Sequence, residues 1–249
     1  MKDSRAFQQG KNNPGEGRPL YRMFNSIPRR YDFMNRLLTL RFDEVWRKKA
    51  CRLCLQGEPE AVMDLCTGTG DLAVRLAGKA NEHTKITALD FSENMLEIAA
   101  EKATHRKLGD RIEFVYGDAS EMPFHDETFD SIGIAFAFRN LTFKNPLGEK
   151  AVAEVYRVLR KGGRFVITES SQPRNSLMRW VFRNYLKLVV DKFGGRISGH
   201  RSAYHYLAHS ALNYYHPEEV EQLLKNAGFP NVKSIPLMGG IASIHVATK

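Results

Sequence analysis

Residues 61–71 read AVMDLCTGTGD, and the predicted fold is built around them. The first five residues are a short apolar run with an acid near its end, which is typical of a buried strand in a parallel sheet. Gly68 and Gly70 then let the backbone turn tightly and approach a ligand closely, because neither residue has a Cβ atom. The apolar spacing after Asp71 predicts a helix, so a ligand at this turn would lie against a helix N-terminus.

A second apolar run, residues 86–90 (ITALD), ends in Asp90, 20 positions after Gly70. A carboxylate at this distance, at the end of the second strand, is placed to meet the two hydroxyls of a ribose. The two stretches together predict an adenosine-type cofactor. Gly68, Gly70 and Ala73 also fit the looser form of the dinucleotide fingerprint, so a nicotinamide or flavin enzyme remains an alternative. A glycine turn that binds nothing is the third interpretation.

The composition is that of an ordinary globular protein, with 43% hydrophobic and 26% charged residues among 249. This length accommodates one large α/β domain or two small ones. The formal net charge of +9 is consistent with binding to nucleic acid, with binding to an anionic membrane surface, or with a role in solubility alone. No nucleic-acid motif is present, so no nucleic-acid partner is predicted. The sequence has neither a run of roughly 20 apolar residues nor a signal-peptide core, which predicts a cytoplasmic protein.

The three cysteines predict neither a disulfide framework nor a metal site. Cys51 and Cys54 have the spacing of half a zinc site, but no second pair follows, and they lie in a helical pattern. Cys66 stands in the glycine turn as a compact side chain. This use of cysteine agrees with a reducing compartment.

The chain outside the turn alternates predicted helices and strands. Residues 1–20 are rich in glycine, proline and polar residues and predict a flexible tail, whereas residues 21–249 predict a single domain. Two helices, over residues 21–38 and over residues 43–55 with Asp43 as N-cap, are predicted before the first strand. Later strands are predicted over residues 85–90, 112–116, 131–136 and 164–168, with a terminal hairpin over residues 232–237 and 241–247. This order predicts right-handed βαβ units and a parallel sheet.

A helix predicted over residues 176–192 has a broad apolar face, and Arg179, Arg183 and Lys187 lie four apart on another face. One interpretation is that the helix lines an apolar substrate pocket while its basic stripe meets lipid phosphates. The other is an amphipathic helix packed on the core with a solvated cationic face. The pattern alone leaves both open.

Four features resemble class I S-adenosylmethionine-dependent methyltransferases: the glycine turn, Asp90, the step at residues 117–119 (GDA) and the closing hairpin. A dinucleotide dehydrogenase needs neither an acid after the third strand nor an antiparallel last strand, so the methyltransferase interpretation leads. The resemblance implies an α/β fold with a Rossmann-like, doubly wound, seven-stranded sheet. The sheet is expected to be mostly parallel with an antiparallel terminal strand, with N-terminal helices and a helical insertion before the last strands.

Further stretches resemble the signatures of the ubiquinone/menaquinone biosynthesis C-methyltransferases. They are residues 31–35 (YDFMN) followed by Trp46, residues 157–164 (RVLRKGGR) running to residues 169–171 (ESS), residues 138–140 (FRN), Tyr204, Tyr206, Leu207, Ser210 and residues 239–245 (GGIASIH). The resemblance runs from about Tyr21 to Lys249. The chain departs from the family pattern at Arg41, where Gly is frequent, at Asp43, where His is usual, at Cys66, where Gly or another small residue is usual, and at Lys161, where Pro is usual.

The resemblance implies methylation of a ring carbon of a prenylated quinol with S-adenosylmethionine as cofactor, foremost demethylmenaquinol to menaquinol. A benzoquinol of the ubiquinone pathway, another small lipophilic acceptor, an NAD-dependent oxidoreductase and a binding module without turnover stay open as alternatives. A prenylated acceptor implies transient contact with the inner face of the membrane. A homodimer is a further expected partner, although the sequence does not fix the oligomeric state.

The resemblance also assigns cofactor contacts. It implies that Gly68, Thr69 and Asp71, with Gly70 in the same turn, hold the methionine end. Asp90 would hold the ribose, and Asp118 with Ala119 the adenine.

Methyl transfer from a sulfonium needs alignment of donor and acceptor and loss of a proton from the quinol, but no metal. Arg139 with Asn140 is predicted to handle this proton through an ordered water, or to act as a clamp for the quinolate, because arginine is normally protonated. Tyr31 completes the predicted catalytic set. Tyr204, His209 and His245 are lesser candidates.

Overall fold

The computed structural model of the chain describes residue 39, residues 41–194 and residues 201–249. The predicted tail over residues 1–20, the helix predicted over residues 21–38 and Tyr31 lie outside these described residues.

The described part of the chain alternates strands and helices, as the sequence predicts. The strands are β1 (Ala61–Leu65), β2 (Lys85–Asp90), β3 (Ile112–Tyr116), β4 (Phe129–Ala135), β5 (Leu159–Ser170), β6 (Asn231–Leu237) and β7 (Ala242–Thr248). The helices are α1 (Phe42–Cys54), α2 (Asp71–Ala77), α3 (Glu93–His105), α4 (Phe138–Thr142), α5 (Gly148–Val158), α6 (Ser176–Tyr185), α7 (Arg201–Leu212) and α8 (Pro217–Asn226). Helix α6 continues as a π-helix over Leu186–Gly194, which with α7 forms the predicted helical insertion.

The strands form one seven-stranded sheet in the order β3-β2-β1-β4-β5-β7-β6. Strands β1 to β5 pair in parallel, and β7 pairs antiparallel with both β5 and β6. The predicted strands over residues 85–90 and 112–116 are confirmed at both ends. The predicted antiparallel terminal strand is also confirmed, over Ala242–Thr248 rather than residues 241–247. The strand order reverses where β1 lies beside β4, so the carboxyl ends of these two strands open a crevice at the switch point, where open α/β sheets bind ligands.

Helices cover both faces of the sheet because successive strand residues point to opposite faces. Met63 of β1 and Phe165 of β5 belong to a buried cluster shared with α5 and α8. Val62 and Val166, their chain neighbours, belong to a second cluster that includes Trp46 of α1 and the apolar face of α2. A third cluster joins α6 and its π-helical continuation to α7 and contains Phe182, Leu186, Val190, Ala208 and Ala211.

The predicted N-cap of α1 is wrong by two positions. The helix begins at Phe42 with Arg41 as N-cap, and Asp43 lies inside its first turn. The buried Asp43 carboxylate accepts a hydrogen bond from the Thr39 hydroxyl at 2.7 Å and pairs with Arg47, so it is committed to side chains rather than to the helix N-terminus.

The strand predicted over residues 164–168 is longer in the structure. Strand β5 starts at Leu159 and continues through Gly162 and Gly163, where the sequence indicates a break. The end of the chain explains the extension, because the Gly162 nitrogen donates to the Lys249 carbonyl at 2.8 Å and the Lys249 nitrogen donates to the Gly163 carbonyl at 3.0 Å.

Candidate active site

The glycine turn after β1 forms one wall of the switch-point crevice. Cys66, Gly68 and Gly70 all have positive φ, at 52°, 54° and 79°. A Cβ atom at Gly70 would lie 2.8 Å from the Ala99 Cβ, so close packing of α3 requires glycine there. A Cβ atom at Gly68 would have no neighbour within 4 Å. The backbone at Gly68 therefore borders open space in which a ligand fits.

Asp64 anchors this turn from inside β1. Its buried carboxylate accepts hydrogen bonds from the Thr67 hydroxyl at 2.5 Å and from the Ala73 nitrogen at 2.8 Å. Burial raises the pKa of Asp64 to about 7. The sequence patterns assign no role to this acid, although an acid in a buried strand needs hydrogen-bond donors nearby.

Asp90 lies at the carboxyl end of β2 and is buried. One carboxylate oxygen accepts from the Gly68 nitrogen at 2.7 Å and the other from the Ser92 nitrogen at 2.9 Å. Burial raises the pKa of Asp90 to about 6. The Phe91 backbone also donates to Asp90, but a carboxylate has about four acceptor sites, so Asp90 retains acceptor capacity for a ligand hydroxyl while it fixes the turn.

Asp118 and Ala119 follow β3 and are both buried. One oxygen of Asp118 accepts from the Ser120 nitrogen at 2.8 Å and from the Ser120 hydroxyl at 2.7 Å. Burial raises the pKa of the Cys66 thiol well above its usual range, and the charges of Asp90 and Asp118 raise it further. The ends of β2 and β3 therefore bring the Asp90 and Asp118 carboxylates close to the turn that follows β1.

Asp71 and Thr69 meet a cation on the neighbouring helix. The Lys102 ammonium of α3 lies 2.7 Å from the Asp71 carboxylate and 3.1 Å from the Thr69 hydroxyl. The Arg47 guanidinium of α1 lies 3.9 Å from the other oxygen of Asp71. Sequence reasoning missed Lys102 and Arg47. Only the i, i+4 spacing from Asp43 to Arg47 signals a pair, because the fold alone brings Lys102 to Asp71.

The predicted catalytic residue Arg139 lies in the first turn of α4, just after β4, and is buried against Glu169 of β5. Its guanidinium lies 2.8 Å from one Glu169 oxygen, and its backbone nitrogen donates to the other oxygen at 3.0 Å. The guanidinium also donates to the Ser170 hydroxyl at 2.7 Å and to the Ser210 hydroxyl at 3.0 Å. Glu169 therefore compensates the positive charge of Arg139, a pairing that the sequence did not reveal although Glu169 ends a predicted strand.

The other proton-handling candidates are spread over the fold. Asn140 accepts a hydrogen bond from the Tyr206 hydroxyl at 3.3 Å, whereas Tyr31 and the side chain of Tyr204 lie outside the described part. His209 is exposed on α7. His245 is buried between the hydroxyls of Ser234 and Ser243, and burial lowers its pKa to about 4, so this imidazole is neutral.

Among residue 39, residues 41–194 and residues 201–249, no group of three or more His, Cys, Asp or Glu side chains is arranged to hold a metal ion. Over the same ranges, no helix combines the length and the apolar character that crossing a bilayer requires.

Comparison with known proteins identifies the family of this chain. The family model described as the ubiE/COQ5 methyltransferase family matches residues 12–249. The chain belongs to this family. The demethylmenaquinone methyltransferase of Thermus thermophilus is 40% identical over 227 residues, which cover 91% of this chain and 100% of that protein. The ubiquinone/menaquinone biosynthesis C-methyltransferase UbiE of Geotalea uraniireducens is 35% identical over 234 residues, which cover 94% of this chain and 97% of that protein.

A solved structure shows the same fold. The crystal structure of an S-adenosylmethionine-dependent methyltransferase from Aquifex aeolicus matches this chain with a TM-score of 0.54 at 22% identity, over 76% of this chain and 81% of that chain. The predicted Rossmann-like α/β fold is thus confirmed. Family membership confirms the predicted methyltransferase class and agrees with S-adenosylmethionine as its methyl donor.

The crevice of this methyltransferase fits S-adenosylmethionine by its own geometry. The open space beside Gly68 admits a ligand against backbone that carries no side chain. Asp90 offers a buried carboxylate with remaining lone pairs where a ribose would meet β2. Asp71 and Lys102 place charges of both signs beside the turn, which suits a zwitterionic amino-acid end.

Proposed function

We propose that this methyltransferase converts demethylmenaquinol to menaquinol by methylating a ring carbon. The curated relatives named demethylmenaquinone methyltransferase support this substrate, at 40% identity for those of Thermus thermophilus and Thermotoga maritima. The single observation that carries the proposal is the contact between Gly68 and Asp90 at the ends of β1 and β2, beside the crevice of the switch point. The cofactor supplies a methyl group that is already activated on a sulfonium. In the transfer the carbon–sulfur bond breaks, a carbon–carbon bond forms, and the ring loses a proton.

In this proposal, different residues of the crevice bind different parts of the cofactor. Gly68, Thr69, Gly70 and Asp71 receive the methionine end at the start of α2. Asp90 accepts hydrogen bonds from the ribose hydroxyls. Asp118 and Ala119 after β3 receive the adenine. This order follows the sheet, because β1, β2 and β3 are successive neighbours and their carboxyl ends share one edge.

The acceptor side of the crevice is assigned to Arg139 and Asn140, and Tyr31 stays the third predicted catalytic residue. Arg139 and Asn140 follow β4, the other strand of the switch point. Because Glu169 compensates the charge of Arg139, we assign Arg139 to ordering a water that takes the quinol proton rather than to holding a bare quinolate. Glu169 fixes the guanidinium in that position.

The test is a defined reaction with purified protein. Reduced demethylmenaquinone and S-adenosylmethionine should give a quinone heavier by about 14 Da, the mass of one CH2 group, by mass spectrometry. A reduced benzoquinone of equal prenyl length is the matched acceptor control. Menaquinol formation that depends on Asp90 supports the proposal. Methylation of the benzoquinol alone would overturn the substrate, and no methylation of either would overturn the reaction.

We further propose that the enzyme meets its acceptor at an anionic membrane surface through α6. Leu177, Trp180 and Val181 are exposed on this helix, the first two by 68% and 65%. Leu188 on the π-helical continuation extends the same apolar face, here called the α6 ridge. Arg183 and Lys187 are also exposed beside the ridge, so the surface combines apolar side chains with cations, as interfacial helices do.

Tryptophan fluorescence tests this membrane partner. The chain has 2 tryptophans, and Trp46 is buried, so Trp180 reports on the ridge. Vesicles of phosphatidylglycerol should shift its emission to the blue, and phosphatidylcholine vesicles should do so less. The double variant Leu177→Glu, Val181→Glu should abolish the shift. A homodimer through the ridge would instead appear as a dimer by sedimentation with no vesicle response, and this result would replace the membrane as partner.

A further inference from the structure

Four charged side chains form one cluster beside the glycine turn. Asp43 and Arg47 pair within α1, and Arg47 reaches Asp71 of α2 at 3.9 Å. Lys102 of α3 pairs with Asp71 at 2.7 Å. The cluster thus holds two cations and two carboxylates contributed by three helices.

The position of Arg47 connects the two walls of the crevice. Its guanidinium carbon lies 4.9 Å from the centre of the Phe136 ring. Phe136 is the first residue after β4. Phe136 has a φ of 62°, which is unusual for a bulky side chain. Since Asp71 follows β1, Arg47 lies between the ends of the two strands that flank the switch point. The same Phe136 ring packs against Trp46, so α1 is fixed in this position on its apolar side too.

The charges in this cluster match a zwitterion. The amino-acid end of the cofactor carries an ammonium and a carboxylate. Asp71 suits the ammonium, but a single acid leaves the carboxylate unmatched. Arg47 and Lys102 lie on either side of Asp71, and their side chains are only 12% and 19% exposed, so water screens their charges weakly.

We propose that Arg47 and Lys102 bind the carboxylate of the amino-acid end of the cofactor, and that Asp43 is a positioning residue that orients Arg47. The inference rests on the proposed function only in that the crevice binds S-adenosylmethionine. Asp43 holds the guanidinium through one pair, and the Phe136 ring supports its face. Arg47 is thereby pre-organised for a planar carboxylate.

Calorimetry with two ligands tests this assignment. S-adenosylhomocysteine contains the amino-acid end, and 5′-methylthioadenosine lacks it. Arg47→Gln and Lys102→Gln should each weaken S-adenosylhomocysteine binding by roughly 10-fold or more, as expected for a lost charged hydrogen bond. Binding of 5′-methylthioadenosine should stay unchanged. Arg47→Lys, which keeps the charge, should lose less than Arg47→Gln.

The control variant is Arg52→Gln, which removes an exposed cation from the last turn of the same helix. It should bind both ligands as the unchanged protein does. Asp43→Asn should weaken S-adenosylhomocysteine binding alone, and a melting temperature close to that of the unchanged protein would show that the fold persists. Equal losses for both ligands, or no loss for S-adenosylhomocysteine, would overturn the assignment. Failure of the unchanged protein to bind either ligand would instead overturn the proposed function.

Discussion

The Gly68 backbone nitrogen donates a hydrogen bond to the Asp90 carboxylate at 2.7 Å, which joins the turn after β1 to the end of β2. These two residues are 22 positions apart, and parallel pairing of β1 with β2 brings them together. The same carboxylate thus fixes the shape of the glycine turn and faces the predicted ribose position. In the proposed function, structure and binding are therefore coupled at Asp90.

Replacing Asp90 with alanine should weaken binding of S-adenosylhomocysteine. The change removes the acceptor for Gly68 and, in the proposed function, for the ribose hydroxyls. Hydrogen bonds to charged groups contribute about 1.5–3 kcal/mol each, so the affinity measured by calorimetry should fall by at least roughly 10-fold. Glu113→Ala, which removes an exposed carboxylate from β3, is the matched control. Equal affinities of the two variants would remove Asp90 from the site.

The stability of the protein should decrease with rising pH because of Asp64. Burial raises its pKa from 3.8 to about 7, so between these values the folded chain keeps a proton that the unfolded chain releases. The stabilising contribution of this protonation is complete below the unfolded pKa and is lost as the pH rises through about 7. From pH 5 to pH 8 the loss should be about 3 kcal/mol.

Urea denaturation of the unchanged protein and of Asp64→Asn at both pH values isolates this contribution. Asparagine keeps an acceptor for Thr67 and Ala73 but does not ionise in this range. The difference in unfolding free energy between pH 5 and pH 8 should therefore be smaller in the variant. An identical pH dependence in both proteins would assign the effect to other groups.

The local signals in the sequence predict the glycine turn and the end of β2 well. Two glycines one residue apart and an acid at the end of the next strand depend on short spacings, and the structure has the turn and the strand end where they indicate. The boundaries of β5 are harder to predict from the sequence, because the extension of this strand depends on backbone pairing with Lys249 at the end of the chain.

The charge pairs depend on the fold rather than on local sequence. Arg139 and Glu169 are 30 positions apart, and Lys102 lies 31 positions after Asp71. No sequence periodicity connects residues so far apart, so the sequence alone offers several acidic residues as possible partners for each basic residue. The sequence therefore predicts a protonated Arg139 in the catalytic set without indicating its partner, and the neutralisation of Arg139 by Glu169 emerges only when β4 and β5 lie side by side.

Alanine at Gly68 and alanine at Gly70 should have different effects. Both positions have positive φ, which costs a residue with a Cβ atom about 1–2 kcal/mol. Gly68→Ala should lower the unfolding free energy by that amount. Because the new Cβ atom enters the space proposed for the ligand, this variant should also lose S-adenosylhomocysteine binding. Gly70→Ala also collides with Ala99, so its unfolding free energy should fall further.

The double variant Gly70→Ala, Ala99→Gly restores room for the new Cβ. Denaturant unfolding should show it to be more stable than expected from adding the two single changes, because the collision is gone. Additive effects would mean that α3 does not press on the turn.

Removal of Arg139 should affect stability and catalysis separately. Arg139→Ala leaves the buried Glu169 carboxylate unpaired, and such losses cost about 3–5 kcal/mol of stability. The double variant Arg139→Ala, Glu169→Ala should recover part of this loss, because no buried charge remains unpaired. Urea denaturation of the single and double variants measures the coupling energy.

The catalytic part is measured on folded protein under single-turnover conditions. Both variants lack the guanidinium that, in the proposed function, orders the proton-accepting water, so both should transfer methyl groups slowly while binding S-adenosylhomocysteine with near-normal affinity. If the double variant regains both stability and a normal rate, Arg139 serves only the fold. A slow rate in a stable double variant assigns Arg139 to the acceptor side of the crevice, because the lost stability no longer explains the lost rate.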